Sequence, residues 1–184
     1  ITMITRIRPD PGRSWKSGKS VFHQPMLNIV IIPSEILRKR SKEVDREFVL
    51  LKKTQKLIEE MLSTMKTADG VGLAAPQVGE SIRLCVINQT ADEINLKNDL
   101  VLFNPVWKKT SIKKDVMEEG CLSVPKTYGK VKRYVKIKVE ALNEKGEPIS
   151  FLASDLLARV IQHEVDHLDG ILFIDKAKDI YTVE

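Results

Sequence analysis

The sequence predicts an α+β fold: short, mostly antiparallel strands around a central helix carrying an HExxH motif fit to bind a metal, with an N-terminal helix packed outside. Three observations predict it. Only two stretches, 45–66 and 154–170, have the apolar spacing of an amphipathic helix. VKRYVKIKVEAL (131–142) alternates with the period of a half-buried antiparallel strand. Three further apolar runs are short and bounded by proline or polar loops.

LNIVII (27–32) is the first of those runs, expected as an early strand ending at Pro33. Asp45 is a candidate N-cap for a helix reaching Lys66, with Leu51, Ile58, Met61, Leu62 and Met65 on one stripe. Asp69-Gly70 is its stop signal. GVGLAAPQVG (70–79) is glycine-rich, apolar and interrupted by Pro76. IRLCVI (82–87) and LVLFNP (100–105) read as strands joined by a polar loop. In 131–142, Val131, Val135, Ile137, Val139 and Ala141 share one face, and lysines fill most of the other. NEKGEP turns the chain back into ISFL, after which Ser154 is a candidate N-cap and Gly170 the stop of the last helix.

A chain of 184 residues, 42% hydrophobic and 30% charged, is most simply one soluble domain. No apolar run approaches the roughly 20 residues that span a bilayer, so no membrane partner is expected. Two cysteines are too few for a disulfide framework, which points to a reducing cytoplasm. The net charge of +5 is uneven. Arg6, Arg8, Arg13, Lys16 and Lys19 against Asp10 give the first 20 residues a net +4, leaving about +1 elsewhere. The lysine-rich strand lacks interleaved aromatics, so direct nucleic-acid binding is not expected. The leader has no apolar core of a secretory signal, and ITMIT resembles the start of a β-galactosidase fragment carried by cloning vectors. Residues 1–25 are therefore read as a vector-derived or disordered leader, with His23 a bystander, and 26–184 as a single catalytic domain.

The chain has three histidines, and two of them, His163 and His167, stand four apart in IQHEVDHLDG. On a helix such positions differ by about 40° and point the same way, so both imidazoles can hold one ion. Glu164 can reach a water beside that ion, as the general base of an HExxH site. Leu157, Val160, Ile161 and Leu168 make this a core helix, where unpaired polar groups are costly and a metal offsets the cost. A chance HxxxH on a surface helix is the plain alternative. A catalytic site of this kind takes three protein ligands. The 14 residues after Gly170 hold no histidine and one glutamate, Glu184, so an upstream ligand is expected. Cys121, preceded by Gly120, and Cys85, inside a strand, are the candidates.

GVGLAAPQ (70–77), EGCLS (119–123) and QHEVDH (162–167) together resemble the three signature motifs of the peptide deformylase family, a likeness that extends over roughly residues 27–176. The resemblance implies an enzyme that removes the formyl group from the N-terminal methionine of new polypeptides, releasing formate through a water that the metal activates. It implies Cys121, His163 and His167 as ligands, Glu164 as proton carrier, and Gln77 with the Leu122 N–H as donors to the formyl oxygen. Ferrous iron is the implied physiological ion, with zinc, nickel or cobalt able to replace it. Val71, Gly72 and Gly120 become substrate contacts. Arg159 and Val160, one turn before His163, would border the methionine pocket, Arg159 by its stem with its charge at the rim; a surface Arg159 with no substrate role stands beside that reading. The implied partners are N-formylmethionyl nascent peptides, met at the ribosome.

Two other readings keep the metal. An HExxH metallopeptidase would take its third ligand downstream, and a non-catalytic metal-binding module would have no use for Glu164 or Gln77. A basic RNA-binding module would explain the charge and none of the motifs.

Overall fold

The computed structural model describes residues 26–89 and 97–183; residues 1–25, read above as a leader, and His23 with them, lie outside the described residues. The architecture is α+β with antiparallel sheets, as the alternation implies. One sheet has five strands in the order β1-β2-β3-β6-β7: β1 (Gly72–Ala74), β2 (Leu84–Ile87), β3 (Leu100–Lys109), β6 (Lys136–Leu142) and β7 (Pro148–Ser154). The other has three, in the order β4-β5-β8: β4 (Lys114–Cys121), β5 (Val124–Tyr134) and β8 (Lys178–Thr182). Three α-helices accompany them: α1 (Arg46–Leu50), α2 (Lys52–Thr67) and α3 (Asp155–Leu168).

The period of two along β2 sorts the core. Cys85 and Ile87 join Ala74, Leu102, Ile137 and Val139 in a cluster with Val160, Ile161, Val165 and Leu168 of α3. Leu84 and Val86 point the other way, joining Leu73, Val101 and Phe103 against Ile58, Met61 and Met65 of α2. The strands β1 to β3 are thus packed on both faces, with α3 on one and α2 on the other. A third cluster, including Leu37, Val124, Val131, Leu172 and Phe173, fills the space beside Cys121 under the three-stranded sheet. Twelve of the fourteen residues of α3 are buried, so its polar side chains must all find partners inside the protein. Among the described residues no helix is long and apolar enough to cross a membrane.

Several elements differ from expectation. LNIVII forms no strand; it is an extended segment tied by isolated bonds, Val30 N–H to Gln77 O (2.8 Å) and Ile32 N–H to Ser123 O (3.0 Å). The N-terminal helix breaks at Leu51, whose ψ is 137°, and Leu51 leaves the buried stripe at 42% exposure. Thr54 Oγ1 and Gln55 Nε2 take the carbonyls of Phe48 and Val49, which stabilises the break. Asp45 does cap α1, accepting from Phe48 N–H at 2.8 Å, a contact of about 1 kcal/mol. Ser154 stands at the start of α3 without a capping side-chain bond.

β3 does not stop at Pro105 but runs to Lys109. It passes the proline at a register irregularity between Phe103 and Val106, with Asn104 at φ 49°, where no ladder N–H is needed. The alternating run 131–142 is two strands. At Val135 the chain leaves the three-stranded sheet for the five-stranded one, and both flanks keep the same inward face because both sheets border α3. β4 and β8 had no clear sequence signal: β4 mixes charges with few apolar residues, and all of β8 is exposed.

Candidate active site

The three blocks singled out in the sequence meet in one place. α3 carries His163, Glu164 and His167 inward, and the end of β4 delivers Cys121. The donor atoms of Cys121, His163 and His167 lie within 4.8 Å of one another, and all three residues are buried. Cys121 Sγ is 3.2 Å from His167 Nε2, and the two rings stand edge to face, 4.9 Å apart. Cys85 is also buried, but it lies in the apolar cluster between β2 and α3 and does not enter this group.

The donors fit a metal. His163 Nδ1 is 2.9 Å from Glu119 Oε2, which fixes the tautomer and leaves Nε2 as the free donor of this group. That Nε2 is fully buried and has no hydrogen-bond partner among the described residues, a costly state that a cation relieves. One sulfur and two imidazoles form a donor set suited to a divalent transition ion. Burial pushes the Cys121 thiol up to about 11 and the His163 imidazole down to about 4, and it holds His167 well below its ordinary value. Two of those directions favour ligands: neutral imidazoles keep lone pairs for an ion. The raised thiol is the protein's own field without a cation, and a bound ion reverses it.

Glu164 lies between the histidines on the same inward face. Without an ion in the site, burial raises its carboxyl from 4.5 to about 7. β1 passes directly against it. A Cβ on Gly72 would come within 2.8 Å of the Glu164 carboxyl carbon, so only glycine lets strand and carboxylate approach this closely. Gln77 is oriented from both ends: its Oε1 accepts from Ala74 N–H at 2.8 Å, and its Nε2 lies 3.2 Å from Ser123 Oγ and 3.5 Å from Cys121 Sγ. The amide donor is thereby aimed at the Cys121 side of the site. Leu122 and Ser123 form the turn that joins β4 to β5, so the Leu122 N–H directly follows the cysteine.

Val71 and Val160 are buried in one cluster beside α3, and Gly120 is buried next to Cys121. Arg159 corrects its expectation. Its charge is not at a rim: the residue is 1% exposed, and its guanidinium donates to Glu119 Oε1 (2.6 Å), Val131 O (3.0 Å) and Asp115 Oδ1 (2.5 Å). The acidic partners supplied by β4 draw the head group inward.

Sequence reasoning missed the charged layer behind the ligands. Arg133 donates Nε to Glu119 Oε1 (2.6 Å), one terminal nitrogen to Glu119 Oε2 (2.8 Å) and the other to Asp166 Oδ2 (2.8 Å). Lys176 holds the second Asp166 oxygen at 2.6 Å. Burial alone would raise the Glu119 carboxyl, but hydrogen bonds from His163 and Arg133 hold it well below the usual carboxylate range. Removing Glu119 would leave Arg133 with Asp166 and Arg159 with Asp115, and would take from each guanidinium its fully buried carboxylate partner. The signal was present: Arg133 falls on the apolar face of the alternating run, between Val131 and Val135. Phe173, stacked on His163 at 6.3 Å, had no comparable signal.

The chain matches the family model for polypeptide deformylase over residues 26–182. It is similar to a peptide deformylase of Halothermothrix orenii, 48% identical over 152 residues that cover 83% of this chain and 94% of the relative. Among solved structures, the peptide deformylase from Legionella pneumophila is 41% identical with a TM-score of 0.76, over 84% of this chain and 88% of that one. A class I type b peptide deformylase from Acinetobacter baumannii, bound to Met-Ala-Ser, is 34% identical with a TM-score of 0.78, over 83% and 99%.

Proposed function

Because the chain belongs to the polypeptide deformylase family, we propose that buried Cys121, His163 and His167 hold the divalent ion with which it works. The activity is that of the family: removal of the N-formyl group from nascent polypeptides that begin with formylmethionine. The observation that carries the site assignment is the convergence of the three donor atoms within 4.8 Å in the interior. The ion we assign is ferrous iron, with zinc, nickel or cobalt as substitutes for the same donors. Bound there, it would supply Lewis acidity, which polarises a carbonyl and makes water acidic near neutral pH.

The chain's own groups account for the rest. Glu164 takes a proton from the attacking water and returns it to the leaving amine, the role of a carboxylate within reach of both. Gln77 Nε2 and the Leu122 N–H donate to the formyl oxygen as charge develops on it. Each such donor is worth a few kcal/mol because its orientation precedes the reaction. Among the named strands β1 pairs with β2 alone, so its other edge can accept the substrate backbone at Val71 and Gly72. Gly120 and Val160 complete the contacts, Val160 beside the methionine side chain. The Met-Ala-Ser bound to the Acinetobacter baumannii relative supports a cleft for a methionine-led peptide. The place of work we assign is the cytoplasm, on chains leaving the ribosome.

Metal analysis and formate release test the reading together. Protein loaded anaerobically with iron should carry one ion per chain and release formate from formyl-Met-Ala, and chelation should abolish both. A metal-free protein that still released formate would remove the basis of the assignment.

A further inference from the structure

We propose that Arg159 is a positioning residue for the ligand His163, acting through Glu119, and that its guanidinium makes no contact with substrate. The inference rests on the reading of Cys121, His163 and His167 as the metal site. Glu119 accepts four hydrogen bonds: Oε1 from Arg133 Nε and Arg159, Oε2 from Arg133 and His163 Nδ1. A carboxylate has about four lone-pair sites, so this one is filled. Arg133 grips both oxygens along one edge, from β5. Arg159 adds a second contact on Oε1, from α3, so that the carboxylate facing the imidazole is held from the helix that carries His163 as well as from the sheet.

Arg159 is itself held at three further points. It donates to Val131 O of β5 at 3.0 Å, to Asp115 Oδ1 of β4 at 2.5 Å and to Asp115 O at 3.3 Å. The side chain therefore ties α3 to both long strands of the three-stranded sheet, one helical turn before the ligand whose orientation it fixes. The charges close as well. Glu119, Asp115 and Asp166 are balanced by Arg133, Arg159 and Lys176, three against three, so the layer can sit behind a cation without an excess of its own. A residue serving only as the wall of a substrate pocket would have no use for this set of partners.

The test is metal affinity, measured by competition with a chelator on the zinc form, with the ligand-field spectrum of the cobalt form as a second readout. Arg159→Met keeps the stem and removes the guanidinium. It should weaken zinc binding by about 10-fold, the low end of what losing a ligating histidine's direct partner costs, because Arg159 acts one contact further out, and perturb the cobalt spectrum. Arg159→Lys, which can still reach Glu119, should recover part of the loss. Asp115→Asn, which loosens the outer anchor and leaves the guanidinium in place, should fall between parent and Arg159→Met. These last two carry the test if Arg159→Met does not fold. Affinity within about threefold of the parent in all the folded variants, with unchanged cobalt spectra, would overturn the proposal. Failure of the underlying site reading looks different: the parent itself would then bind no stoichiometric ion.

Discussion

Gly72 of β1 and Glu164 of α3 are packed so closely that the glycine has no room for a methyl group: a Cβ there would stand 2.8 Å from the carboxyl carbon and closer still to Oε1. β1, the strand proposed to offer its edge to the substrate, and Glu164, the residue proposed to carry the proton, are therefore packed as one unit. Gly72→Ala should displace the carboxylate by about an ångström, and misplacement on that scale costs about 10²-fold in turnover. Metal content should stay near one per chain, since no ligand is touched. Steady-state kinetics beside metal analysis checks this; an alanine variant with parental kcat would show that the carboxylate can move without penalty.

The two cysteines separate cleanly. Cys121 is in the group of three donors that could hold an ion, and Cys85 is in the apolar cluster with Ala74, Ile87 and Val165. Cys121→Ser should lower zinc affinity strongly, and Cys85→Ser should leave occupancy unchanged while lowering thermal stability through an unsatisfied buried hydroxyl. Occupancy measured after dialysis against a weak chelator decides it, and the reverse pattern would reassign the third ligand.

The metal-free protein should show a pH-dependent penalty at Glu164. Its carboxyl is raised from 4.5 to about 7, so between those values the folded state keeps a proton that the unfolded chain has lost. That contribution to stability is complete below 4.5 and is lost as pH rises through 7. Glu164→Gln has no such titration. Between pH 5 and pH 8 the metal-free variant should gain on the parent by on the order of 3 kcal/mol, while the depressed histidines titrate in both proteins and largely cancel. Urea unfolding at the two pH values measures the difference, and a gap that does not widen with pH would contradict the assignment.

Much of the site was readable because its chemistry is written locally. His163 and His167 share a helix face by spacing alone, and Gly120-Cys121 and Gln77 stand in short blocks whose order carries meaning. The strand 131–142 had the right period and the wrong continuity. Alternation reports which face is buried, and a change of sheet at Val135 preserves it. Pro105 was read as a stop because its missing N–H matters in a ladder, but a register irregularity made that N–H unnecessary. Arg159 was misplaced for a different reason. Whether an arginine head group turns to water or inward depends on partners 40 to 44 residues away in β4, which no local pattern reveals.

The central claim is that an ion held by Cys121, His163 and His167 works with Glu164 to remove a formyl group. Formate release from formyl-Met-Ala by the parent and by Glu164→Gln, both iron-loaded to the same metal content, tests it most directly. The account predicts equal ion binding and a rate lower by about 10² to 10⁴-fold in the variant, the usual cost of losing a general base. Equal rates at equal metal content would contradict it, because the proton would then be carried by another group.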